Sequence, residues 1–463
     1  MEVPVLRKRY SFVLSVIFTL ALLLQPPLFS APASADVFYA VSNYSTGSAG
    51  NITKNAGGFS VKANLVNNLG RDAWGFSFRD AGGNERAMVR EYRYGPNDTV
   101  YIWDPANWKT PIVNESNFGS NIHAVTSHGQ YLFAVTYEGY FNGMSYQDSG
   151  EILRIDTANG YKADKRWQYE MFTNSLGATC SPHGEAVVVY NGKVYALFAI
   201  SYYGVSQYEE SELIEFEMDL TPTGRKAKVG KNALRMAEYG GKVYVAAIGG
   251  YQGPMTSGNI CEVDLATMTS KEIINCADSM QNPSKPGAVS GYGISFAKDG
   301  TAYIMVGSYS GSADGNMGGN DKYTGFNGRI FVTTAEALSK IGDPGEVAAS
   351  YYDSGFSWDI VFDEKDSTLW CMVGKALEAR DKNGALLRRF EPAELGDNIY
   401  SVAVMDDLEN SGGGDDDGGD DGNGDSSSGG GCDSDAGYGF VCVLLFSFCL
   451  TRVMRAQGRK CAK

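Results

Sequence analysis

Five short segments constrain this chain more than any other feature in it. They read SHGQYLFAV from Ser127, YNGKVYALFAI from Tyr190, YGGKVYVAAIGG from Tyr239, KDGTAYIMVG from Lys298 and KDSTLWCMVG from Lys365. Each is a turn, at Gly129, Gly192, Gly241, Gly300 and Asp366-Ser367, followed by an alternating run rich in β-branched and aromatic residues. Such a run fits a half-buried strand, and the turn residues supply the backbone angles a tight hairpin needs.

A second strand pair follows each hairpin after a loop of variable length: GEILRIDTANG from Gly150, SELIEFEMDL from Ser211, GNICEVDLATMT from Gly258, NGRIFVTT from Asn327 and ALEARDKNGALLRRF from Ala376. An earlier unit of the same kind runs through WGFSFRD, RAMVREYRY, TVYIWDP and TPIVNE, from Trp74 to Glu115. Unit starts near Trp74, Ile122, Ala186, Ala233, Tyr292 and Trp358 fall roughly 45–65 residues apart, the period of propeller blades with loop insertions. The ends complete the count. IYSVAV at Ile399 is a lone strand, and VFYAVSNY, GNITKN and FSVKANLV, from Val37 to Val66, are three strands lacking a first. Joining them makes a seventh blade and removes two exposed sheet edges. The expected fold is all-β, a seven-bladed β-propeller closed by its two ends, with six or eight blades as the neighbouring counts.

Charge and composition narrow the function. Net charge is −15, with 39 Lys and Arg against 54 Asp and Glu, so no surface is expected to neutralise nucleic-acid phosphates. Three histidines leave little room for His-based metal or acid–base chemistry.

Residues 1–35 read as a secretory signal. Arg7, Lys8 and Arg9 precede an apolar stretch from Phe12 to Leu24, Pro26-Pro27 ends it, and Ala33-Ser34-Ala35 is a small-x-small cleavage site. The stretch is too short to span a bilayer, so the mature chain is expected to begin at Asp36, outside the cytoplasm. The propeller then occupies 36–408, and a flexible Gly/Asp/Ser-rich linker 409–431. Residues 432–463 hold Cys432, an uncharged run from Ala436 to Thr451 expected to form a C-terminal membrane helix, and a basic end with Arg452, Arg455, Arg459, Lys460 and Lys463.

Linker, small motif, apolar run and basic cluster together resemble the bacterial C-terminal sorting signals of the GlyGly-CTERM type, and SSSGGGCDSDAGYGF looks most like the Synerg-CTERM version. The resemblance covers only the tail. It implies a rhomboid-type sorting protease as partner, processing near Gly429, Gly430, Gly431 and Cys432, and a cell-surface or released product. The Asp433-Ser434-Asp435 insert and the extra Cys442, Cys449 and Cys461 depart from the pattern. In the body, YGGKVYVAAIGGYQG followed by NICEVDL resembles one kelch-like blade, without the usual late Trp. WD-type and sialidase-type Asp-box signatures are absent.

The longest insertions join second to third strands and open on one face. In four of them an aromatic recurs, at Tyr140, Tyr203, Tyr251 and Tyr309, among Asn, Asp, Gln and Gly; rings with amides suit sugars or peptides, although repeat packing would give the same recurrence. Asp314, Asn316 and Asp321 have the start of a calcium loop but lack its final Glu, so no metal or other cofactor is expected, calcium there being the lesser alternative. Glu209, Glu210 and Glu212 are spare carboxylates expected to be solvated. His123, His128 and His183 are dispersed, His128 at a turn, and no nucleophile elbow is visible. Cys261 and Cys276 flank a turn nearly symmetrically and could form a cross-strand disulfide in an exported protein. These features point to an exported, surface-sorted propeller that binds an extracellular glycan or peptide through its loop face, with no catalytic signature. The alternative is a propeller hydrolase or lyase on the same substrates. Convergent Asp, Glu, His or Arg near the ring axis would favour the alternative.

Overall fold

The computed structural model describes residues 37–405, apart from 44–45, 71–72, 92–97, 117, 139–148, 203–207, 250–257, 277–287, 310–325, 340–347 and 352–356. Only the backbone is described at 288–290, 307–309, 326–329, 348–351 and 357–358. The segments expected to be a signal, a linker and a sorting tail therefore lie outside the described residues. Among those described, no helix is long and apolar enough to cross a membrane.

Seven antiparallel sheets form the expected propeller, six of four strands and one of five. The inner strands are Trp74–Arg79, Ser120–His128, Thr179–Tyr190, Ala233–Tyr239, Ala288–Phe296, Ser357–Asp363 and Asn398–Val404, and each packs against its neighbours around the ring. The first blade begins at Trp74 and the sixth at Ser357. The seventh joins both ends of the propeller: Asn398–Val404 pairs antiparallel with Val37–Ser42, with Val37 opposite Val404 and Ser42 opposite Asn398. Closure leaves no inner strand without a neighbour, which a propeller needs because each blade buries its faces only against adjacent blades.

The hairpin turns follow from local chemistry. Asn191-Gly192 (φ +47° and +66°) and Gly240-Gly241 (+60° and +77°) both turn through the left-handed region that twisted hairpins require. Ser367 takes φ +52° where other blades place Gly. The core lies between blades. In one such interface Trp370 and Phe390 of the sixth blade meet Phe59 of the seventh edge to face, at 5.7 and 5.6 Å between centroids.

The third blade departs from the four-strand pattern. An extra strand, Phe172–Thr173, pairs on the axial side of its inner strand, Phe172 opposite Cys180 and Thr173 opposite Thr179. It therefore lies at the end of that strand where the second-to-third-strand loops emerge.

Candidate functional site

Each inner strand after the first carries one irregularity at the same level. Pairing with the second strand shifts between Ile122 and Ala124, Gly184 and Ala186, Ala233 and Arg235, Gly291 and Gly293, and Ser357 and Asp359. In the seventh blade it shifts between Ile399 and Ser401. The skipped residues are His123, Glu185, Leu234, Tyr292, Trp358 and Tyr400, and Trp74 holds the corresponding place in the first blade. A bulge leaves one residue unpaired and re-aims its side chain, and bulges recur beside active sites. The next position along is small in most blades, namely Gly75, Ala124, Ala186, Gly293 and Ser401. In the fourth and sixth blades it is Arg235 and Asp359.

Charged and aromatic groups converge on this ring. His123 Nδ1 lies 2.7 Å from Glu185 Oε2, joining the second and third blades. Arg235 Nε donates to Asp359 Oδ1 at 3.3 Å, reaching from the fourth blade to the sixth. Arg90, fully buried, sits over the Trp74 ring at 4.7 Å and donates through Nε to Ile122 O. Trp74 is 5.5 Å from the His123 ring, centroid to centroid. Tyr137 lies 5.1 Å from His123 and stacks on His183 at 3.8 Å, with 10° between the planes. His183 Nδ1 is 2.8 Å from Tyr137 O, and its Nε2 is 2.9 Å from Ser201 Oγ.

Burial sets the protonation of this cluster. It pushes the Glu185 carboxyl well above the usual carboxylate range, against the pull of Arg235. It pushes His123 well below its ordinary value, reinforced by Arg90, Arg235 and His183. The uncharged pair has Glu185 donating its proton to Nδ1, which leaves the imidazole hydrogen on Nε2. Asp359 is raised to about 7 by burial, opposed by Arg235 and by the Ile360 N–H. Its second oxygen, Oδ2, is buried without a hydrogen-bond partner. The Asn121 side-chain amide is likewise fully buried without a hydrogen-bond partner, two residues before His123. A carboxyl and an imidazole whose burial shifts their proton affinities in opposite directions are suited to passing a proton to or from a bound molecule.

Other expected site residues fall elsewhere. Tyr140, Tyr203 and Tyr251 lie outside the described residues. Tyr309 ends the strand Thr301–Tyr309, its backbone opposite Ala288 and Phe326. Asp314, Asn316 and Asp321, and all of the cleavage and sorting residues (Ala33, Ala35, Gly429, Gly430, Gly431 and Cys432), are also outside. Among the described residues no group of His, Cys, Asp or Glu is arranged to hold a metal ion. Cys261 and Cys276 are free, buried thiols. Their offset is the reason: Cys261 faces Glu272, while the Cys276 N–H bonds to Gly258 O. The three neighbouring glutamates knit the third blade. Glu209 accepts from Asn174 and Tyr202, and Glu212 accepts from Tyr169 and pairs with Lys226, buried instead of solvated as expected. Glu210 makes an exposed pair with Lys228.

The histidines are the main correction. His128 does end its strand at the turn, opposite Tyr131. His123 and His183, expected to be unrelated, both contact Tyr137. Aligning the seven inner strands on Trp74, His123, Glu185, Leu234, Tyr292, Trp358 and Tyr400 is the sequence signal that could have found the site.

No protein-family model matches the chain, and no curated protein matches it. Solved structures do. A putative 6-phosphogluconolactonase from Bacteroides uniformis matches with TM-score 0.51 at 12% identity, covering 80% of this chain and 99% of that one. The β-propeller domain of Cps50 (Swd1) from Myceliophteria thermophila matches with TM-score 0.39 at 12% identity, covering 69% of this chain and 86% of that one. At such identities the likeness is one of fold: the chain is a seven-bladed β-propeller.

Proposed function

We propose that this protein is an exported propeller hydrolase or lyase that acts on extracellular glycans or peptides at the axial cluster. The observation that carries this reading is the buried His123–Glu185 pair at 2.7 Å, beside Arg235 and Asp359, on the bulged ring of the inner strands. A module that only binds needs exposed rings and amides. It has no use for a proton-sharing pair among arginines, whose desolvation must be offset by close pairing. Tyr140, Tyr203 and Tyr251 follow the second strands of their blades in the sequence and would supply ligand contacts.

Export is supported by the basic, apolar and small-x-small order of residues 1–35, and surface sorting by the linker, apolar run and basic end of 409–463. A rhomboid-type protease would cut near Gly429–Cys432. Expression in a host lacking that protease should then leave the full-length chain in the membrane, and unchanged release there would refute the cleavage.

The catalytic reading is tested by incubating the protein with glycan and peptide arrays and following both retention and turnover. Turnover lost in Glu185→Gln and His123→Gln, with retention kept, is the expected result. Retention without turnover of any ligand would return the protein to the binding class.

A further inference from the structure

The Ser201–His183 contact plays no part in the acid–base pair just described, and its geometry specifies more than packing. A carbonyl oxygen can only accept, so His183 Nδ1, 2.8 Å from Tyr137 O, carries a hydrogen. In the neutral imidazole Nε2 then presents its lone pair, and Ser201 Oγ lies 2.9 Å from it. Ser181 O, 3.2 Å from the same hydroxyl, is the more distant acceptor. The Tyr137 ring, nearly parallel to the imidazole, fixes its orientation. Thus a hydroxyl, a base with the correct tautomer and a group that orients the base stand in line, the arrangement that activates a serine. Ser201 is 9% exposed and lies one residue before the end of the strand Lys193–Tyr202, opposite Ser181 of the inner strand.

We propose that Ser201 is a nucleophile and His183 its general base, and that the pair takes a carboxylic ester or lactone. This rests on the axial region being a working site. In the first step the Ser201 Oγ–C bond forms at the substrate carbonyl while the hydroxyl proton passes to His183 Nε2. Collapse of the tetrahedral adduct breaks the carbonyl carbon–alkoxy bond, and the departing oxygen takes that proton. Water then attacks the acyl-serine, giving its proton to Nε2 and releasing the acid, and Ser201 recovers its hydrogen.

The test is a fluorophosphonate probe on the full chain, followed by peptide mapping. Reaction forms the Oγ–P bond, expels fluoride and puts the proton on His183. The expected result is label on Ser201 in the native protein, none after unfolding, none in Ser201→Ala, and a rate slowed about 10²–10⁴-fold in His183→Gln with its pH profile flattened. Ser201→Cys, which keeps the shape of the site, should exchange phosphonate labelling for iodoacetamide labelling. Absence of label, label on another residue, or His183→Gln reacting at the wild-type rate overturns the proposal. Ester or lactone turnover that survives Ser201→Ala but fails in Glu185→Gln would overturn the serine alone and leave the axial acid–base reading standing.

Discussion

Arg235 of the fourth blade bonds Asp359 of the sixth, Nε to Oδ1 at 3.3 Å, both side chains being buried. The intervening fifth blade has Gly293 at the matching position, so the ion pair passes where that blade presents no side chain. Two blades that are not neighbours are thereby tied together across the ring.

Burial of the Asp359 carboxyl, against the pull of Arg235, gives a pH dependence. The Asp359 pKa rises from 3.8 to about 7 on folding, so protonation favours the folded state. Its contribution is whole below about pH 4 and is lost as pH rises through about 7. Glu185 is raised in the same direction, whereas the depressed His123 contributes stability above its ordinary value that is lost as pH falls. Comparison with Asp359→Asn isolates the one carboxyl. Between about pH 5 and pH 8 the wild type should lose about 3 kcal/mol more stability than the variant, measured by urea unfolding.

Glu185→Gln keeps a hydrogen-bonding group against His123 Nδ1 and removes only the transferable proton. It should unfold within about 1 kcal/mol of the wild type. Glu185→Leu leaves Nδ1 buried and unpaired and should cost about 1–3 kcal/mol. Turnover should fall about 10²–10⁴-fold in both. Urea midpoints and initial rates on the same preparations separate the two effects.

Closure of the ring predicts a sharp boundary for C-terminal truncation. Removing 409–463 should leave the melting temperature unchanged. Removing 398–463 takes away the strand paired with Val37–Ser42 and bares an edge, so the product should aggregate or unfold, as gel filtration and circular dichroism would show.

Gly258 precedes the third strand of the fourth blade, and a Cβ there would lie 1.8 Å from Ala247 O. Because the clashing atom is backbone, Gly258→Ala should cost about 1–3 kcal/mol. Gly57→Ala, where the nearest atom is 3.4 Å away, should stay within about 0.5 kcal/mol. Thermal unfolding of the two variants makes the comparison.

The blades were legible because their signals are local. Asn191-Gly192 bends the chain whatever the rest of the protein does, and the apolar alternation of Lys193–Tyr202 selects a strand from adjacent residues alone. The seventh blade was legible for a related reason: a lone strand at Ile399 and three at the other end are each costly unless they pair. The axial cluster was not legible in this way. His123 and His183 belong to different blades, and nothing near either one announces Tyr137. Cys261 and Cys276 erred in the opposite direction, since symmetry about a turn says little once a register shift between Ile260 and Cys261 moves one strand against the other.

By itself the sequence determined the turns, the strands and the need for both ends in one sheet, since each depends on backbone angles and on apolar alternation over a few residues. Only the tertiary structure decided that Trp74, His123, Glu185, Arg235 and Asp359 meet. Their convergence depends on where the bulges fall and on the ring closing around them, and burial in that closed ring is what shifts their protons.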